Sequence, residues 1–204
     1  MLKLISITGP SCAGKTTLAR ELLKTGDFCE IVSYTSRQPR AGEVEGKDYY
    51  FRTREEILKL DLAEHAEFKG NIYATSKEEI ETRCASGKLP LVILEPHGLQ
   101  QFINTYGIYD STYFDIMPGE LFPIYIDGPR KVLVERFLRR FVEDTNADSE
   151  YYISRINSML DELEQWPAQC CRSMTVSLFT EDNKESIVRS IHKIAKEAAK
   201  RDKG

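Results

Sequence analysis

Long apolar runs are missing from this sequence. No stretch approaches the roughly 20 residues that a membrane-crossing helix needs, and the start, MLKLISITGPSC, is too short in apolar residues for a signal peptide. An excess of basic charge is missing too, because 28 Lys and Arg stand against 32 Asp and Glu. The net charge of −4 gives no electrostatic footprint for polymeric nucleic acid. We therefore expect a cytoplasmic protein that binds neither a membrane nor a nucleic-acid chain.

Cysteine is scarce and lacks any metal-ligand spacing. The five cysteines are an odd number, which argues against a disulfide framework and for reduced thiols in a cytosol-like compartment. The sequence also has no internal repeat and no low-complexity linker. Its 204 residues suffice for one large domain, or for a core that carries small insertions.

Short apolar segments alternate with helical patterns along most of the chain. Strands are predicted at 2–8, 30–36, 89–95, 122–126 and 174–179. Because strands that alternate with helices favour a parallel sheet, we predict an α/β fold with a five-stranded parallel sheet flanked by helices. Residues 37–76 show no clear period except around REEILKL, which is typical of a small insertion shaped around a ligand.

The segment GPSCAGKT, residues 9–16, fits the pattern G-x-x-x-x-G-K-[ST] between a predicted strand and a predicted helix. Gly9 and Gly14 allow backbone N–H groups to turn inward at phosphate oxygens, and the helix N-terminus adds partial positive charge. Lys15 is expected to reach the β- and γ-phosphates, and Thr16 to help hold Mg²⁺. The sequence predicts a nucleoside triphosphate site formed by Gly9, Pro10, Ser11, Cys12, Ala13, Gly14, Lys15, Thr16 and Thr17.

The motif leaves the phosphoryl acceptor open, because GTPases, ATPases and small-molecule kinases share it. Glu95 ends the apolar segment LPLVILE, where such folds often place a carboxylate near the metal ion. An exposed acid at a strand end explains Glu95 equally well.

A second anion site is indicated by SYTSRQPRAGEVEGKDYYF, residues 33–51. Arg37 and Arg40 flank Pro39, which stiffens the turn and sets the spacing of two guanidinium groups. Guanidinium forks suit phosphate oxygens, and Tyr49 can donate a further hydrogen bond. A solvated basic loop is the alternative interpretation.

This stretch, together with AEHAEFKGNIYATS at 63–76, resembles the acceptor region of guanylate kinases. The resemblance implies a P-loop kinase with a nucleoside monophosphate-binding insertion and a helical lid, using ATP and Mg²⁺. It places the core at 1–32, 87–135 and 167–204, the insertion at 33–86, and the lid with its following helix at 136–166. It implies transfer of phosphate from ATP to a nucleoside monophosphate, by a monomer or a homodimer.

The resemblance also implies roles for single residues. The acceptor's phosphate would be held by Arg37, Arg40, Tyr49 and Tyr73. The base would be surrounded by Ser33, Glu64 and Thr75. Without the resemblance, Glu64 is interpreted as a surface acid; with it, the carboxylate can accept N1–H and N2–H of guanine together. The lid arginines Arg136, Arg140 and Arg155 would neutralise the charge of the transferring group, and together with Lys15 and Arg40 they form the expected catalytic set.

The sequence departs from the family pattern where guanylate kinases usually read ILDIDVQG. Here ILEPHG stands, so His97 lies where a second base-reading Asp is expected, as either a base reader with altered preference or a loop histidine. Phe179-Thr180 replaces the Asn-Asp that follows the last strand, which affects the donor's adenine contact. We therefore predict GMP or dGMP as the acceptor, with another or a modified (deoxy)nucleoside monophosphate as the alternative.

Two further interpretations belong to other functions. A non-catalytic guanylate-kinase-like binding module usually has a degraded phosphate loop, whereas Gly9, Gly14, Lys15 and Thr16 all stand here. A kinase for a sugar phosphate would need no contact for a base edge.

Overall fold

The structure is a computed structural model that describes residues 3–39, 42–68, 70–108, 120–143, 149–170, 174–177, 179–180 and 182–201. Along the chain the elements are β1 (Leu4–Thr8), α1 (Lys15–Lys24), β2 (Phe28–Glu30), β3 (Tyr34–Thr35), β4 (Tyr50–Phe51), α2 (Arg54–Ile57), β5 (Leu62–Phe68), β6 (Asn71–Ser76), α3 (Lys77–Cys84), β7 (Leu89–Ile93), α4 (Pro96–Tyr106), β8 (Leu121–Asp127), α5 (Arg130–Glu143), α6 (Ser149–Gln169), β9 (Met174–Ser177) and α7 (Lys184–Arg201).

The central sheet has five parallel strands in the order β2-β7-β1-β8-β9, which confirms the predicted fold class. All five residues of β1 are buried, as expected for the middle strand of a parallel sheet covered on both faces. The chain therefore places the loop that follows β1 at the centre of the carboxyl edge of the sheet, where open α/β sheets bind ligands.

Two apolar cores cover the two faces of this sheet. On one face Ile5 and Ile7 pack in a cluster that includes residues of α1, α5, α6 and α7. On the other face Leu4 belongs to a cluster with residues of α3 and α4, among them Leu99 and Phe102. None of the helices that the structure describes is both long enough and apolar enough to cross a lipid bilayer.

A second sheet, in the order β4-β3-β6-β5, lies within the segment predicted to bind the acceptor. It is mixed, because β3 pairs in parallel with β4 and antiparallel with β6. Its small core contains Ile57, Ile72 and Ala74. The Thr53 side chain caps α2 in a capping box with Glu56, which satisfies backbone N–H groups at the start of this helix. The predicted boundaries of the three units remain predictions.

The single strand predicted at 30–36 is wrong. The chain leaves the central sheet after Glu30 and enters the second sheet at Tyr34. Between these strands the Val32 N–H donates to the buried carboxylate of Glu79 at 3.1 Å instead of continuing a strand ladder. The apolar and β-branched character of EIVSYTS is therefore shared between two sheets, which no periodicity in the sequence separates.

Candidate active site

The phosphate loop joins β1 to α1, and its two motif glycines pack tightly against other parts of the chain. A Cβ atom at Gly9 would lie 2.6 Å from the Ile126 carbonyl oxygen, and one at Gly14 would lie 2.9 Å from Cβ of Phe179. Gly14 also has φ +100°, a conformation that side chains other than glycine rarely adopt. Both glycines of the motif are therefore required for close backbone approach, which is how such a loop presents its N–H groups.

Lys15 begins α1 and folds over the same loop. Its Nζ donates hydrogen bonds to the carbonyl oxygens of Gly9 at 2.7 Å and Pro10 at 3.0 Å, and lies 6.0 Å from the centre of the Trp166 ring. The side chains of Thr16 and Thr17 are exposed at the N-terminus of α1. The loop thus offers a cation, two hydroxyl-bearing residues and the partial positive end of a helix to an anion.

The phosphate loop also forms hydrogen bonds with α5 and α6. The Ser11 N–H donates to Oε2 of Glu162 at 2.6 Å, and Nη1 of Arg136 lies 3.4 Å from the carbonyl oxygens of both Cys12 and Phe179. Of the predicted lid arginines, Arg136 is therefore placed against the loop. Arg140 lies in α5 and Arg155 in α6, but their side chains are outside the described residues.

Arg37, Tyr49 and Tyr73 lie close together at the second sheet. Arg37 donates from Nη1 and Nη2 to the two carboxylate oxygens of Glu43, at 2.9 Å each, and its guanidinium carbon lies 5.4 Å from the centre of the Tyr49 ring. The Glu43 carboxylate, more than Tyr73, raises the pKa of Arg37. Tyr49 and Tyr73 meet edge to face at 6.0 Å. Three of the four residues expected at the acceptor's phosphate are thus brought together, while Arg40 lies outside the described residues.

The three residues expected around the base form a chain of hydrogen bonds. The Thr75 hydroxyl donates to Oε1 of Glu64 at 2.8 Å, and the Ser33 and Thr75 hydroxyls are 3.2 Å apart. The strands β3, β5 and β6 position them, with a register irregularity in β5 between Leu62 and Glu64. Glu64 is only 6% exposed. It is therefore a buried carboxylate with a polar partner and not the surface acid that its residues alone suggested.

Burial dominates the electrostatics of Glu64. Removal from water raises the pKa of its carboxyl group to about 7, against a partial lowering by the Thr75 hydroxyl, and the negative charge of Glu95 adds to the rise. Gly98, in the first turns of α4, lies directly against it, since a Cβ there would be 3.0 Å from Oε2 of Glu64. The pKa of such a buried carboxyl group depends on whether a ligand supplies hydrogen-bond donors to it.

Glu95 and His97 flank Pro96 at the start of α4, and both are exposed. Glu95 immediately precedes α4, the helix whose Gly98 lies against Glu64, so it is close to the expected base site. Within the described part of the chain, no group of three His, Cys, Asp or Glu side chains is arranged to hold a metal ion. The two residues predicted as metal ligands, Thr16 and Glu95, would suit Mg²⁺ only together with substrate phosphates and water, which is how this ion is commonly bound.

Sequence reasoning missed four residues that shape the site: Glu43, Glu79, Gly98 and Glu162. Glu79 is 7% exposed and accepts hydrogen bonds from the Val32 N–H, the Tyr50 hydroxyl and Nε of Arg83. A signal existed for it, because Ser76-x-x-Glu79 fits the capping-box pattern and Ser76 does cap α3. That pattern predicts a local role for the carboxylate and not its hydrogen bonds to Val32 and Tyr50, which are distant in sequence.

Comparison with known proteins agrees with this geometry. A family model described as guanylate kinase matches residues 1–108. The chain is 34% identical over 168 residues to human guanylate kinase, covering 78% of this chain and 77% of that protein. It is 35% identical over 166 residues to guanylate kinase of Prochlorococcus marinus, covering 78% and 82%.

The fold has a solved counterpart as well. The crystal structure of guanylate kinase from Anaplasma phagocytophilum superposes with a TM-score of 0.64 at 24% identity, over 97% of this chain and 86% of that one. This likeness supports the fold, and the sequence relatives support the family. The chain belongs to the guanylate kinase family, and it is a nucleoside monophosphate kinase of the P-loop class.

Proposed function

We propose that this kinase transfers the terminal phosphoryl group of ATP to GMP or dGMP and releases ADP and the nucleoside diphosphate. An oxygen of the acceptor's phosphate forms the new bond to the γ-phosphorus as the bond to the β-phosphate oxygen breaks. The acceptor's phosphate is already ionised at neutral pH, so no dedicated base is needed. The protein's contribution is positioning and neutralisation of charge.

The observation that carries the choice of a guanine nucleotide is the buried chain Glu64–Thr75–Ser33. Guanine offers two adjacent donors, N1–H and N2–H, that a single carboxylate accepts together, whereas adenine offers no such pair. Burying an acid is costly unless a ligand or partner compensates it. A kinase for a sugar phosphate has no use for this arrangement.

The phosphate sites support the same proposal. We assign the donor to the loop of residues 9–17, with Lys15 moving from the loop carbonyls to the β- and γ-phosphates. The acceptor's phosphate is assigned to Arg37, Arg40, Tyr49 and Tyr73, and the closing charges to Arg136, Arg140 and Arg155. Mg²⁺ would be held through Thr16 and Glu95 with the donor's phosphates, where it would neutralise developing charge.

Further parts of the proposal follow from the family and from the sequence. We propose a cytoplasmic location, a monomer or homodimer, and separate movement of the acceptor-binding segment 33–86 and the lid 136–166 on the core. The intact loop disfavours a non-catalytic binding module. The alternative acceptor, a modified or different (deoxy)nucleoside monophosphate, has one observation in its favour, namely that His97 occupies the position of an expected carboxylate.

A coupled assay of ADP formation with a panel of ribo- and deoxynucleoside monophosphates tests the proposal. GMP or dGMP is expected to give the highest kcat/KM, and ADP formation that does not exceed the acceptor-free background with any of them would refute the assignment. His97→Asp, assayed on the same panel, is expected to sharpen the preference for guanine. An unchanged ranking would show that the histidine does not read the base.

A further inference from the structure

Two neighbouring residues of the phosphate loop, Ser11 and Cys12, form hydrogen bonds with helices α6 and α5. Glu162 of α6 accepts a hydrogen bond from the Ser11 N–H at 2.6 Å. Arg136 of α5 donates to the Cys12 carbonyl oxygen, and to that of Phe179, at 3.4 Å each. Hydrogen bonds to a carboxylate and to a guanidinium group, which come from two different helices, therefore hold the loop backbone.

These hydrogen bonds lie at a strained part of the loop backbone. Cys12 has φ +65°, and it is the one residue other than glycine with a positive φ in the part of the chain that the structure describes. A left-handed conformation is unfavourable for any residue with a Cβ atom. It persists only where surrounding contacts determine it, and the hydrogen bonds on Ser11 and Cys12 are such contacts.

The amide that Glu162 holds lies apart from the start of α1. Ser11 precedes Lys15, the first residue of that helix, by four positions. The amides at a helix N-terminus are the ones that favour an anionic ligand. Glu162 therefore satisfies the Ser11 N–H and leaves the amides at the N-terminus of α1 to the donor.

We infer that Glu162 is a positioning residue for the phosphoryl donor: by holding Ser11 it keeps the left-handed bend at Cys12 and so shapes the loop for the triphosphate. One turn further along α6, Trp166 lies 6.0 Å from Lys15 Nζ, so the same helix contacts the loop at both of its ends. The inference deepens the proposed function, on which it rests for the identity of the donor.

Binding of ATP to wild type, Glu162→Ala and Glu162→Gln, measured by calorimetry, tests the inference. Losing a hydrogen bond to a charged group is expected to weaken ATP binding about tenfold in the alanine variant, and less in the glutamine variant, which keeps an acceptor oxygen. Trp166 is the only tryptophan, so its fluorescence reports the loop contact directly. Glu164→Ala, an exposed residue on the same helix, is the matched control and should bind ATP as wild type does.

A rescue variant separates positioning from a general loss of structure. Glycine adopts positive φ without strain. The double variant with Cys12→Gly and Glu162→Ala should therefore recover most of the ATP affinity that Glu162→Ala alone loses. In steady-state kinetics, Glu162→Ala should raise KM for ATP about tenfold while KM for GMP stays within about twofold.

Three results would overturn the inference: unchanged ATP affinity in both Glu162 variants, tighter ATP binding in them, or a loss that Cys12→Gly does not recover. Tighter binding would show that the carboxylate competes with the donor's phosphates. These results are distinguishable from a failure of the proposed function. A wild-type protein that binds ATP but phosphorylates no guanine nucleotide would refute the acceptor, whereas the ATP affinities of the variants would still decide the role of Glu162.

Discussion

Replacing Glu64 with glutamine should stabilise the protein and at the same time impair its reaction with GMP. Glu64 is 6% exposed, and burial raises the pKa of its carboxyl group from 4.5 to about 7. One pKa unit corresponds to about 1.4 kcal/mol, so ionising this group in the folded state costs about 3 kcal/mol. Glutamine has nearly the same shape, carries no charge and keeps an oxygen that can accept from the Thr75 hydroxyl.

The sign of the pH dependence follows from which state binds the proton. Below pH 4.5 Glu64 is protonated in both the folded and the unfolded protein, so the two variants should differ little. Between pH 4.5 and about 7 the unfolded chain ionises while the folded protein keeps its proton, so wild-type stability falls. Above about pH 7 the loss is complete. Glu64→Gln should therefore gain stability progressively, reaching about 3 kcal/mol over wild type at about pH 8.

Urea denaturation of both proteins from about pH 4 to about pH 8 measures this difference. Glu67→Gln is the control on the same strand, because Arg54 lowers the pKa of Glu67 and so removes any reason for a gain at high pH. In the kinetic assay the amide introduced by Glu64→Gln would present a donor to the donors of guanine, so kcat/KM for GMP should fall about 100-fold. A stability difference that does not change with pH would refute the argument.

Three other substitutions test the packing that supports the site. Gly14→Ala would bring Cβ to 2.9 Å from Cβ of Phe179 at a positive φ, so KM for ATP should rise at least about tenfold with KM for GMP unchanged in steady-state kinetics. Gly98→Ala, 3.0 Å from Oε2 of Glu64, should show the reverse pattern, with KM for GMP raised about fivefold. Thr53→Ala removes the cap of α2 and should cost about 1 kcal/mol in urea denaturation without changing either KM.

The central sheet and the phosphate loop were predictable because their signals are local. Continuous apolar segments such as 89–95 mark strands that are buried on both faces, and the loop motif carries its own reason for each glycine. The structure confirms the sheet, and its packing around Gly9 and Gly14 agrees with the motif. Within the second sheet, β3 and β4 gave no such signal, because they are two residues long and are defined only by their pairing.

Contacts between distant residues also could not be predicted from composition or spacing. Glu162 lies 151 positions from Ser11, and nothing in the pattern of α6 distinguishes it from its exposed neighbour Glu164. Nothing in the sequence marks Glu43, because a Glu in a loop rich in charge is ordinarily solvated. The burial of Glu64 depends on α4 packing against β5, which is a tertiary event. The family resemblance indicated its role, whereas physical reasoning from the residues alone did not.

The charges of the proposed acceptor site indicate where its selectivity should lie. Because Arg37 is paired with Glu43, a phosphate that binds this guanidinium group would exchange with a carboxylate instead of neutralising a bare charge. Every nucleoside monophosphate offers the same phosphate, so this exchange cannot separate one base from another. On the proposed assignment, discrimination between bases should therefore fall to Ser33, Thr75 and Glu64. His97 cannot supply a second carboxylate. The free energy that Glu64 gains by accepting hydrogen bonds from the two donors of guanine must therefore exceed the cost of ionising its buried carboxyl group. The preference for guanine should consequently depend on pH near the pKa of Glu64.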